Sequence, residues 1–93
     1  MDKMHDWTLL DVKFDWRSAC ASLTFEDCEA KSRTLTAEKV RLLEIPREDE
    51  WGPSVSVNET ADGPGPDGVG QMVRIEMQSG DAIRLWAARV SLT

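Results

Sequence analysis

The sequence predicts an all-β domain of six to seven short antiparallel strands in a meander, closed as a small sandwich or a strongly bent open barrel. Three observations carry this. Apolar and polar residues alternate with period two through most of the chain, the period of a strand with one wet face. Turn-forming residues interrupt the alternation at hairpin spacing. No segment repeats another at a fixed period, which excludes a solenoid or propeller. With 93 residues there is room for one core, so residues 1–93 form a single domain.

The first strand starts at Trp7. Leu10, Val12, Phe14 and Trp16 share its inner face, and Asp11, Lys13, Asp15 and Arg17 its outer face. Ser18 marks a tight turn. In the second strand Ala19, Ala21, Leu23 and Phe25 face in, while Cys20, Ser22, Thr24 and Glu26 face out. Small alanines opposite large aromatics suit close packing. After a polar turn at 26–30, residues 31–36 read as an edge-like third strand, with Lys31 and Arg33 discouraging edge-to-edge pairing. Residues 36–45 admit two readings. Ala37, Val40 and Leu43 have helical spacing, but Leu42, Leu43 and Ile45 crowd before Pro46. A strand over 40–45, with a bulge or a register change, is favoured over a helix, with a short helical turn allowed at 37–39.

Trp51-Gly52-Pro53 forms a corner that feeds a further strand, with Val55 and Val57 inward and Ser54, Ser56 and Asn58 outward. Residues 59–68 hold three glycines, two prolines and two aspartates after Glu59, and read as a mobile loop unable to form a ladder. In the last third, Val73, Ile75 and Met77 alternate with Arg74, Glu76 and Gln78. Ile83, Leu85 and Ala87 then alternate with Arg84, Trp86 and Ala88. A three-residue turn at Gln78-Ser79-Gly80, with Gly80 left-handed, sets Ile75 opposite Ile83 and Val73 opposite Leu85. That register leaves Glu76 diagonal to Arg84 as a minor ion pair.

Composition narrows the function. A formal charge of −6 argues against nucleic acid, which needs a basic patch, and suits a basic protein partner. No apolar run approaches the ~18 residues that span a bilayer, and no secretory signal is evident, so a cytoplasmic protein is expected. Cys20 and Cys28 fall on the order of 20 Å apart in this hairpin reading, too far for a disulfide, and are expected to be free thiols. The single histidine, His5, with Asp6 forms at most half of an acid–base or metal site, so no metal or other cofactor and no enzymatic activity are expected. The local explanation is that Asp6 takes backbone hydrogen bonds ahead of a strand while the imidazole packs on Trp7.

His5-Asp6, the strand Val12–Trp16, the corner Trp51–Asn58 and the strand Ile75–Asp81 together resemble a group of small bacterial β-rich proteins of unknown function. More loosely, the His-Asp start and the meander are similar to immunity proteins that neutralise bacterial toxins. The acidic charge, the missing catalytic set and the hydroxyl-rich outer rows point to a non-catalytic binding module, and the looser resemblance to one of immunity type. Its partner face would comprise Trp51, Ser54, Ser56, Asn58 and Trp86, beside the hydroxyl-rich outer rows of the sheet. Two alternatives stand beside it. One is a small-ligand or enzymatic site built from His5, Asp6, Asn58 and Glu59. The other is a homodimeric structural subunit joined through the outer face of the final hairpin.

Overall fold

The structure, a computed structural model, describes residues 4–47 and 56–93. Six strands are present among them: β1 (Thr8–Asp15), β2 (Cys20–Glu26), β3 (Ser32–Glu44), β4 (Val57–Pro64), β5 (Gln71–Met77) and β6 (Ala82–Leu92). All neighbours are antiparallel, and the strand order in the single sheet is β1-β2-β3-β6-β5-β4. Two three-stranded meanders are therefore joined through the long central pair β3–β6. The sheet bends strongly without closing into a barrel. Its outer strands approach at one place, where Thr8 and Ser56 form an isolated bridge and the Val57 N–H donates to the Trp7 carbonyl at 2.8 Å. Among the described residues the only helical element is one 3-10 turn at Pro66–Gly68.

The core lies within the bend. Leu23, Phe25, Leu35, Ala37, Val57, Ile75, Ile83, Leu85 and Ala87 are wholly buried. Full burial of a Leu, Ile or Phe side chain contributes roughly 1.5–3 kcal/mol. Trp7 closes one side against Phe25, with ring centroids 6.2 Å apart. The last hairpin has the expected register: Ile75 faces Ile83, Val73 faces Leu85, and Gly80 takes a φ of 101°. The expected Glu76–Arg84 pair does not form. Arg74 lies opposite Arg84, Glu76 turns to Arg74 at 3.5 Å, and Arg84 reaches Glu44 at 3.5 Å.

Three expectations are corrected in β1 and β3. β1 carries a bulge between Leu9 and Asp11, which buries Leu9 and leaves Leu10 55% exposed. Beyond it Val12 is half-buried, but Phe14 and Trp16 are exposed, because the inner phase runs on past the end of the core. β3 is not edge-like. It lies between β2 and β6; Thr34 and Thr36 stand opposite Thr24 and Ser22, and Arg33 stands opposite Phe25 with its guanidinium over the Trp7 ring. β3 also continues through the ambiguous segment to Glu44 with no helical turn. Ala37, Val40 and Leu43 all face Val90, Ala87 and Leu85 of β6, three residues apart, because Lys39 adopts a left-handed φ of 52° and the register shifts between Val40 and Leu42. Two backbone irregularities in a strand thus mimic the period of a helix.

The segment read as unable to form a ladder forms one. Residues 59–64 pair with β5 as far as Pro64 opposite Gln71. Here β4 is the outermost strand, where Gly and Pro are tolerated, and Pro64 is its last residue. The connection to β5 is pinned by Gly70, whose φ is 69° and whose Cα approaches the Ala87 carbonyl too closely for a Cβ.

Candidate functional site

The residues singled out in the sequence separate into three places. Trp51 and Ser54 lie outside the described residues, as does Val55. Ser56 is half-buried, bridges Thr8 and accepts the Gln78 N–H on its carbonyl at 2.9 Å. It therefore lies at the join between the outer strands. The hydroxyl row of β2 and β3 is built as cross-strand pairs, Ser22 with Thr36 and Thr24 with Thr34, which stabilise exposed strands by themselves.

His5, Asp6 and Asn58 are brought together. The register shift between Val57 and Glu59 makes Asn58 a bulge residue, and its carbonyl accepts a hydrogen bond from His5 Nδ1 at 2.6 Å. That contact requires the proton on Nδ1. His5 Nε2 stands 3.4 Å from the Asp6 carboxylate. Asp6 has a φ of 67° and its other carboxylate oxygen accepts Gln78 Nε2 at 2.7 Å. The Asn58 amide donates to Glu76 at 2.8 Å. The cluster thus satisfies itself and clasps the N-terminal segment to β4 and β5. His5 does not bury against apolar atoms; its side chain stays 62% exposed. Glu59 stands opposite Glu76 in the ladder, beside this clasp. Among the described residues no group of three or more His, Cys, Asp or Glu side chains is arranged to hold a metal.

Trp86 points to the outer face, as expected of its phase, and is half-buried there. Its Nε1–H donates to the Val69 carbonyl at 2.8 Å, and the Arg41 guanidinium lies 5.1 Å from the ring centroid. Gly65 sits so close that a Cβ would strike Nε1. Trp86 is folded over by its own chain. In the sheet β6 lies between β3 and β5, and β5 between β6 and β4.

A further concave surface lies elsewhere. An open groove of about 500 Å³ runs between the end of β1 and the upper half of β3, lined by Phe14, Trp16, Ala19 and residues 40–43. Trp16 is 85% exposed and meets Phe14 edge-on, with centroids 5.9 Å apart and planes at 72°. The small side chains of Ala19 and Ala21 leave the space, Phe14 lying opposite Ala21. Alternation assigned these aromatics to the core and so hid the site. The available signal was Trp16 itself, set directly against a turn where no inner neighbour can cover it. Within the turn Asp15 accepts the Arg17 N–H at 3.1 Å and the Ser18 hydroxyl at 2.9 Å.

A second, more polar groove of about 440 Å³ holds Trp7, Asp27, Lys31 and Arg33. Arg33 stacks 4.9 Å from the Trp7 ring centroid and approaches Asp27 at 3.8 Å. Asp27 accepts the N–H groups of Glu29 and Lys31, each at 2.9 Å. Its carboxyl is held below the ordinary aspartate value, first by the Lys31 N–H and then by the Glu29 N–H and the charges of Arg33 and Lys31, against partial desolvation. Both cysteines are free thiols, Cys28 bordering this groove. No helix among the described residues is long and apolar enough to cross a membrane. Comparison with family models, curated proteins and solved structures finds no match.

Proposed function

We propose that this chain is a non-catalytic protein-binding module of the cytoplasm, and that its partner docks on the groove of Phe14 and Trp16. One observation carries the reading: an edge-to-face aromatic pair, one member 85% exposed, standing at the mouth of an apolar groove. Exposed Trp and Phe beside a pocket are what interface anchors are made of. Trp16 thereby takes the anchoring role that the sequence assigned to Trp51 and Trp86. The net charge of −6 supports a basic protein partner, since it raises the encounter rate and disfavours nucleic acid. An immunity-type role, with a basic toxin as the captured protein, is the specific form that the bacterial resemblance supports. The single histidine engaged in a structural clasp supports a binding rather than a catalytic task.

The test uses the full chain as bait in parallel with its Trp16→Ala variant. A partner held by the parent and lost by the variant is purified and titrated directly. Affinity should fall at least about thirtyfold, equivalent to the ~2 kcal/mol of an anchor residue. A partner bound equally by both refutes the assignment.

A further inference from the structure

A bulge in a strand re-aims the side chains beside it. In β3, Lys39 takes a left-handed φ of 52°, where glycine is the residue that fits without strain, and the register shifts across Arg41. Both side chains are exposed, and both line one groove of about 240 Å³ on the outer face of β3 and β6. Trp86 stands in that groove, Gly70 and Ala88 border it, and no described carboxylate lines it. We propose that the groove binds a phosphate group, free or carried by a small molecule, between Lys39 and Arg41.

Charge carries the argument. The chain has 17 acids to 11 bases, so a cation without a carboxylate is the exception. Lys13, Lys31, Arg33, Arg74, Arg84 and Arg89 each reach a carboxylate at 3.3–3.9 Å. Lys39 and Arg41 reach none among the described residues, and Glu38, beside Lys39 in the chain, is taken by Arg89 at 3.5 Å. Arg41 is placed by an aromatic ring instead. Its guanidinium lies 5.1 Å from the Trp86 centroid, and Trp86 is itself fixed by its bond to the Val69 carbonyl. A guanidinium held this way keeps N–H donors for an oxyanion, which it can meet two oxygens at a time. Lys39 adds a point charge from two residues away. Two converging cations suit phosphate better than a carboxylate, because phosphate brings about two negative charges and three acceptor oxygens. The volume falls below the roughly 300 Å³ of a drug-sized pocket, so the occupant is small. The net charge of −6 does not forbid it, since exposed acids beyond about 8 Å are screened at physiological salt. This site goes beyond the protein-docking groove. Arg41 borders both, so the test turns on Lys39, which borders only this one. Arg47 and Ser56, which flank residues 48–55, do not line it.

The experiment is an NMR titration of the isotope-labelled full chain with inorganic phosphate, and separately with glycerol phosphate and with acetate. Each is read against sodium chloride at equal ionic strength. Phosphate is expected to give saturable shifts at the amides of Lys39, Arg41 and Gly70 and at the Trp86 indole N–H. Lys39→Gly keeps the left-handed backbone and removes the ammonium group. Checked as folded by circular dichroism, it should bind phosphate at least about fivefold more weakly. Tighter binding of the ester supports a phosphorylated small molecule as the occupant, and equal binding supports free phosphate. Shifts that sodium chloride reproduces overturn the proposal. So does acetate bound as tightly as phosphate, or a folded Lys39→Gly variant that binds like the wild type.

Discussion

β4, at one end of the sheet, carries Glu59, Asp62, Gly63 and Pro64, and no large apolar side chain after Val57. β1, at the other end, carries Leu10, Val12 and Phe14 and runs into the exposed Trp16. Among the described residues β4 pairs with β5, and β1 pairs with β2 and, at Thr8, with Ser56. β4 has the composition that discourages a passing strand: charge, glycine and a terminal proline. β1 has the composition that invites contact. The difference teaches that exposed apolar surface gathers at the β1 end of this sheet, where the proposed docking groove lies.

That contrast can be broken most forcefully from the β4 side. Gly70→Ala forces a Cβ into a left-handed position against the Ala87 carbonyl, and should cost about 2–4 kcal/mol in denaturant unfolding. If the stability is unchanged, β4 is not held by the connection assigned to it. The place where the outer strands meet comes next. Gln78→Ala removes the hydrogen bond to Asp6, with the longer one to the Val57 carbonyl, and should cost about 1 kcal/mol. Amide exchange at Asp6 and Val57 should accelerate selectively; uniform exchange across the sheet would argue against a local clasp.

A smaller effect is expected at Asp27, next to the β1 side. Its folded carboxyl lies below the ordinary 3.8, so its contribution is fully present above that value and disappears as pH falls below it through the folded value. Asp27→Asn should be the less stable protein at neutral pH, with the gap closing in acid. A gap that persists unchanged to pH 2 would assign the effect to lost geometry rather than to charge. Least of all, Trp16→Ala should alter stability by no more than about 0.5 kcal/mol, as befits an exposed side chain. A larger loss, measured by thermal unfolding, would make Trp16 part of the core and sharpen the two ends into equals.

What could be read from sequence follows from where the period holds. β2, β5 and β6 up to Ala87 alternate without interruption, and their inner residues and mutual register are as the pattern implies. β1 and β3 contain irregularities at Leu10, Lys39 and Arg41. An irregularity costs the sequence nothing visible, yet each one moves every later side chain to the other face. Position in the sheet was hidden for a related reason. Arg33 and Lys31 suggested an edge, but Arg33 is accommodated by Trp7 and Asp27 on the surface of an interior strand. The groove was illegible because alternation describes the phase of a side chain and not whether anything lies above it.

The pairing of β3 with β6 has one more consequence. Each three-stranded half is continuous in the chain, residues 8–44 and 57–92, and each seals the apolar surface of the other. A cut placed between them would leave two fragments, neither with a complete interior, that should regain structure only when mixed. The same partition makes the molecule a natural split reporter: whatever draws the two pieces together restores the fold.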